Sequence, residues 1–217
     1  MIRAVVFDFD GVLADSEPLH LATYQEVFSS MGVTLTRDDY YEHYLGYDDE
    51  AVFRAIGRAH GWTMSDEQVA AFIAEKSRVF DEMIAGGNVL YPGAADCVTR
   101  LARAFPLGIA SGALKHEIQT ILAGARLDQY FRFVVAAGDT PHTKPAPAPY
   151  VRAAQLHGHP PSACVAIEDS RWGIVSAKAA GMKCVAITTT YPSSELEAAD
   201  ATITSLDQFT EELIHGL

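Results

Sequence analysis

From Tyr91 to the C-terminus the chain alternates between short apolar runs and helix-length segments, and that alternation constrains the fold most. Helices are expected at 94–104, 115–124, 148–157, 173–180 and 206–215. The runs between them, Leu107–Ser111, Phe133–Ala137, Cys164–Glu168, Cys184–Thr188 and Ala201–Ile203, read as strands. Strands linked by helical crossovers build a parallel sheet with helices on both faces. One further strand belongs to it: Ile2-Arg-Ala-Val-Val-Phe, near the N-terminus, rich in Val, Ile and Phe and followed by Asp8-Phe-Asp10-Gly11.

The segment from 16 to 86 breaks this rhythm and reads as all helix. Ser16 can cap a first helix with Pro18 in its first turn. Tyr24, Val27, Phe28 and Met31 share a face, and Gly32 stops it. A second helix starts near Arg37 and a third near Asp49. A fourth has the capping-box spacing Ser65…Gln68, with apolar periodicity to Ile84 and Gly86-Gly87 beyond. The expected organisation is therefore an α/β core of 1–15 and 87–217, with a small all-helical domain, 16–86, inserted after strand one.

In open parallel sheets ligands bind outside the carboxyl ends of the strands. Those ends carry unusual residues here. Strand one ends in Asp8-Phe-Asp10, strand two in Ser111-Gly112 and strand four in Glu168-Asp169-Ser170, while the Pro-rich loop at 138–149 carries Lys144-Pro145. Alternate side chains of a strand share a face, so Asp8 and Asp10 are expected side by side. Two carboxylates so placed repel unless a cation lies between them, and oxygen donors suit Mg2+. Taken singly, Ser111-Gly112 reads as a turn and Glu168-Asp169 as a solvated strand end; their common placement is what points to a site.

Each residue type has work in phosphoryl transfer. Asp8 is the candidate nucleophile, able to form an aspartyl-phosphate. Glu168 and Asp169 would complete a metal site. Ser111 and the amides of Gly112 and Ala113, ahead of a helix, suit phosphate oxygens. Lys144 supplies a positive charge to the phosphoryl group and to Asp8, and Asp10 suits the general acid and base.

The net charge of −12 argues against nucleic acids and anionic membranes as partners. Three cysteines, Cys97, Cys164 and Cys184, lack any paired spacing and read as buried free thiols. With no signal peptide and no apolar span of membrane length, the cytoplasm is the expected compartment.

Asp8-Phe-Asp10-Gly11-Val-Leu-Ala-Asp15-Ser16, Ser111-Gly112, Lys144-Pro145 and Glu168-Asp169-Ser170 resemble the four motifs of the haloacid dehalogenase (HAD) superfamily of phosphatases. Pro92-Gly93 and the stretch from Gly173 to Ala180-Gly181-Met182 extend the resemblance over essentially the whole chain. It implies a Rossmann-like core with a helical cap, and the subgroup of β-phosphoglucomutase and related sugar-phosphate phosphatases. It also implies that Asp10 offers Mg2+ its backbone carbonyl rather than its side chain. Members that cleave halides or phosphonates lack an acid at that position, so a small phosphate ester is the expected substrate.

Two helical-segment residues are oddly polar. Lys76 interrupts the face of Val69, Ile73, Phe80 and Met83, and His20 falls in the stripe of Tyr24 and Val27. A Lys in an apolar stripe can snorkel to water, and a His there can be an ordinary core residue. The resemblance brings positions like these to the nucleophile and substrate. Sugar phosphomutases of the family grip a second phosphate with basic residues near the Gly46-Tyr47-Asp48-Asp49 loop. Leu45, Asp48 and Asp49 stand there in this chain, which favours a phosphatase over a mutase. Trp172, just past Glu168-Asp169-Ser170, reads as a surface or cap-contact residue.

Overall fold

A computed structural model describes residues 1–44, 47, 49–84 and 89–217. Leu45, Gly46 and Asp48, and with them most of the loop weighed above, lie outside the described residues, as do Gly86 and Gly87. The chain divides into two compact units, Met1–Ser16 with Asn88–Leu217, and Glu17–Gly87.

The first unit holds a six-stranded sheet in the order β3-β2-β1-β4-β5-β6, with every neighbouring pair parallel. The strands are β1 Ala4–Phe7, β2 Leu107–Ala110, β3 Phe131–Val135, β4 Cys164–Glu168, β5 Lys183–Ile187 and β6 Ala201–Ile203. This is the Rossmann strand order, and its switch point lies beside β1, where the order reverses. All four residues of β1 are fully buried, as expected of a strand covered on both faces.

Side-chain alternation sorts the strand residues onto two faces. Ala4, Val6, Cys164, Ala166, Cys184 and Ala186 pack with Tyr150, Ala153 and Ala154 of α7 (Ala148–His157) and with Ile174 and Ala177 of α8 (Arg171–Ala180). Phe7 projects to the opposite face, edge-on to the rings of Phe131 and Phe209. The same parity puts Glu168, two residues beyond Ala166, on the face covered by α7 and α8. The helices α5 Ala94–Leu101 and α6 Lys115–Gly124 complete the crossovers. All three cysteines are buried and unpaired.

Several expectations shift. β3 lies two residues upstream of its predicted place, because Asp139 accepts a hydrogen bond from the Ala136 amide at 3.0 Å and turns the chain there. The helix expected at 206–215 splits. Buried Phe209 interrupts it between a 3-10 turn, Leu206–Gln208, and α9, Glu211–His215, which Thr210 caps by accepting from the Leu213 amide at 3.3 Å. β1 ends at Phe7, so Asp10 is not on the strand.

The second unit contains α1 Glu17–Ser30, α2 Arg37–His43, α3 Asp49–Ala59 and α4 Asp66–Ile84. The capping box at its last helix is complete: the Gln68 amide donates to Ser65 Oγ at 3.3 Å and the Ser65 amide to Gln68 Oε1 at 2.9 Å. Its core is aromatic, with Tyr24, Phe28 and Phe53 in mutual contact. No helix of the described residues is long and apolar enough to cross a membrane.

Candidate active site

The C-terminal ends of β1 and β4 are hydrogen-bonded neighbours, with Phe7 in register with Ile167. The Asp8 amide carries the ladder one step further by donating to the Ile167 carbonyl at 3.0 Å. Asp8 therefore emerges beside Glu168. Together with Asp169 they form a buried trio whose ligand oxygens lie within 4.8 Å of one another.

Lys144 opposes this negative charge. Its Nζ lies 2.8 Å from Asp8 Oδ1 and 2.6 Å from Glu168 Oε1. The trio is nevertheless strained electrostatically. Burial, and then the neighbouring Glu168, hold the Asp8 carboxyl well above the usual carboxylate range. Burial and Glu168 likewise push Asp169 up to about 7. Burial alone would lower the Lys144 ammonium, but Asp8 and Glu168 outweigh it and raise it above its ordinary value. A cluster of oxygen donors that resists its own ionisation fits a hard divalent cation such as Mg2+.

Two glycines make this packing possible. A Cβ on Gly173, in the first turn of α8, would stand 1.9 Å from the Glu168 carboxylate. One on Gly11, at φ +74°, would stand 1.9 Å from Asp169 Oδ2. The Gly11 turn is further held by Thr189, whose hydroxyl donates to the Gly11 carbonyl. Ser170 caps α8, accepting from the Gly173 amide at 3.1 Å, and its hydroxyl lies 3.3 Å from Glu168 Oε2.

Asp10 lies three residues beyond the end of β1. It sits in a turn paired with Ala14, and its Oδ1 accepts from the Ser16 hydroxyl. Ser16, expected as a helix cap, thus directs its hydroxyl proton to Asp10. Ser111, just past β2, is buried, and its Oγ accepts from the Ala113 amide at 3.1 Å. That amide, expected to be available to phosphate, is already engaged within the turn. Helix α6 starts at Lys115, two residues beyond Ala113.

His20 and Lys76 lie within the helical unit and meet there. Lys76 is 2% exposed; its Nζ lies 2.8 Å from Asp49 Oδ1 and 3.0 Å from His20 Nδ1. Tyr24 donates to the same Asp49 oxygen at 2.6 Å, and the His20 ring stacks on Phe80. An ammonium donating to Nδ1 requires a neutral imidazole. Burial, with Lys76 adding to it, accordingly lowers His20 to about 3. Lys76 does not snorkel to water, because Asp49 satisfies it inside. Trp172 is 52% exposed, with Arg171 over its ring.

Sequence reasoning missed Tyr150. It is fully buried, and its hydroxyl donates to Glu168 Oε1 at 2.6 Å. The available signal was an aromatic hydroxyl six residues after Lys144, directly after a run of alternating Pro and Ala.

Residues 5–187 match the family described as haloacid dehalogenase-like hydrolase. The chain belongs to that family. It is 31% identical to protein CbbY of Rhodobacter capsulatus, covering 100% of this chain and 99% of the relative. It is 29% identical to hexitol phosphatase B of Escherichia coli K12, covering 99% and 97%. Among solved structures, CbbY of Rhodobacter sphaeroides in complex with xylulose-(1,5)bisphosphate superposes with a TM-score of 0.84 at 26% identity, covering 96% of each chain. The family and its phosphatase-named relatives make this HAD-like chain a phosphomonoester hydrolase.

Proposed function

We propose that this hydrolase is a Mg2+-dependent phosphatase that cleaves a small phosphorylated metabolite, a sugar phosphate in the first instance, through a phospho-Asp8 intermediate. The observation that carries this reading is the position of Asp8. It stands at the switch point of the sheet, inside a carboxylate trio and 2.8 Å from Lys144.

Asp8, Glu168 and Asp169 would hold the cation, with the Asp10 backbone carbonyl. Bound Mg2+ offsets the repulsion between these carboxylates and the phosphoryl oxygens. Asp8 attacks phosphorus, the bond to the ester oxygen breaks, and Asp10 gives that oxygen its proton. Asp10 then takes a proton from the water that attacks phospho-Asp8, which regenerates the carboxylate and releases inorganic phosphate. The Ser16 hydroxyl orients the Asp10 carboxyl for both transfers. Lys144 has three donors, of which Asp8 and Glu168 take two. The third, with the Ser111 hydroxyl and the Gly112 amide, serves the phosphoryl oxygens. In this reading the helical segment 16–86 acts as a cap, and His20 and Lys76 are its substrate contacts.

The substrate's remaining groups are the less constrained part. Hexitol phosphatase B and the fructose-1-phosphate phosphatase YqaB of Escherichia coli support a sugar monophosphate. The xylulose-(1,5)bisphosphate held by CbbY supports a second reading, a pentulose bisphosphate. Asp49 favours the former: it already neutralises Lys76, leaving that ammonium less charge for a second phosphate. A mutase of the β-phosphoglucomutase type is the alternative reaction. Assay of inorganic phosphate release from hexitol, fructose, pentulose and glucose phosphates tests all three. Release from a monophosphate is the expected result. Glucose 1-phosphate isomerised without phosphate release would replace hydrolysis by the mutase reading.

A further inference from the structure

Tyr150 is a buried polar group beside the site that the reaction above does not use. It lies in the first turn of α7, just beyond the loop that carries Lys144, and none of it reaches solvent. Two donors converge on one oxygen, Glu168 Oε1: the Tyr150 hydroxyl at 2.6 Å and Lys144 Nζ, also at 2.6 Å. Lys144 Nζ also lies 5.2 Å from the centre of the Tyr150 ring. The ring thus lies beside the ammonium while the hydroxyl engages one of its two carboxylate partners.

A buried carboxylate oxygen with a single charged donor holds that donor tightly, because charge-assisted hydrogen bonds are short and strong where water is absent. Were Lys144 the sole donor to Oε1, Glu168 would compete for it with Asp8 and with any phosphoryl oxygen. A second donor at that oxygen weakens the competition. We propose that Tyr150 is a positioning residue: its hydroxyl shares Glu168 Oε1 with Lys144, so that Lys144 bridges Asp8 and Glu168 and keeps a donor for the phosphoryl group. This rests on the phosphatase reading, since it acts through Lys144 in that site.

Tyr150→Phe keeps the ring and its packing and removes the hydroxyl alone. The direct readout is binding of inorganic phosphate by calorimetry in Mg2+, with the thermal midpoint measured alongside. The expected result is phosphate affinity lowered about tenfold, equivalent to about 1.4 kcal/mol, and kcat lowered by a similar factor with KM for substrate little changed. In a Lys144→Met background the same substitution is expected to change phosphate affinity less than about twofold, because residues acting through one another are not additive. Equal losses in both backgrounds, or wild-type affinity in Tyr150→Phe, would overturn the proposal. If Tyr150→Phe gives no cooperative melt, 3-fluorotyrosine at 150 keeps the hydroxyl while altering its donor strength. A shifted phosphate affinity at an unchanged midpoint then supports the proposal, and wild-type affinity overturns it. Failure of the wild-type protein to release or bind phosphate would instead remove the phosphatase reading.

Discussion

Lys144 Nζ bridges Asp8 and Glu168, 2.8 Å from one and 2.6 Å from the other, and so ties the loop after β3 to the tips of two adjacent strands. One ammonium against three buried carboxylates leaves an excess of negative charge. Stability and function are set against each other at that point.

Neutralising Asp8 relieves part of that excess. Asp8→Asn is expected to raise the thermal midpoint in chelator while abolishing turnover, the pattern of a site strained for function. Wild-type protein should gain more from added Mg2+ than the variant does. Melting curves of both proteins, with Mg2+ and with chelator, check this. A lower midpoint for Asp8→Asn in chelator would mean that the Lys144 ion pair outweighs the repulsion.

Ser16 holds Asp10, and the expected consequence depends on the leaving group. Ser16→Ala should slow release of a sugar alkoxide, which needs a proton, by about tenfold. Hydrolysis of p-nitrophenyl phosphate, whose leaving oxygen needs little acid assistance, should fall much less. Comparison of kcat on the two substrates checks this, and equal losses on both would contradict it.

Gly173 has no room for a methyl group. Gly173→Ala drives a Cβ into a carboxylate already held by Lys144 and Tyr150. The expected cost is about 2–4 kcal/mol in denaturant unfolding, with activity lost as Glu168 is displaced. Gly124, at the end of α6, has open space around its Cβ position. Gly124→Ala should be neutral or stabilise by up to about 1 kcal/mol.

His157 sets an acid limit on the fold. It is 6% exposed at the end of α7, and its ring meets Phe133. Burial, with Arg132 and His159 nearby, lowers it to about 4, although a contact with the Val5 backbone acts the other way. The unfolded chain then binds a proton that the folded one refuses between about pH 6.5 and 4. Stability contributed by neutral His157 is therefore complete above pH 6.5 and falls as pH drops through that window, by about 2 kcal/mol at pH 5. Denaturant unfolding of His157→Leu should show a shallower loss between pH 7 and pH 5 than wild type. Parallel curves would contradict the assignment.

Much of the site was legible in the sequence because strand ends are easy to locate. An apolar run of five residues followed by acids places those acids at a sheet edge, and in a parallel sheet the edges coincide. The structure brings Asp8, Lys144, Glu168 and Asp169 together as that reasoning expects, and sets Ser111 just past the end of β2. The same reasoning ran side-chain alternation on to Asp10, past Phe7, where the strand had already ended. It also left out Tyr150, Ser16 as partner of Asp10, and Thr189 on the Gly11 carbonyl. Those contacts join segments distant in sequence or depend on one hydroxyl's direction, and no periodicity encodes that. The break at Phe209 was hidden for a similar reason: a phenylalanine fits a helix pattern until the opposite sheet face claims its ring.

The account stands on Asp8 as nucleophile, and trapping of the intermediate tests it most directly. Wild-type protein is mixed with substrate and Mg2+, quenched in acid within the first turnover, and digested for mass spectrometry. The expected result is one phosphoryl group on the peptide containing Asp8, labile to base and lost on longer incubation as phosphate appears. A phosphoryl group on another residue, or phosphate release by Asp8→Asn at the wild-type rate, would contradict it.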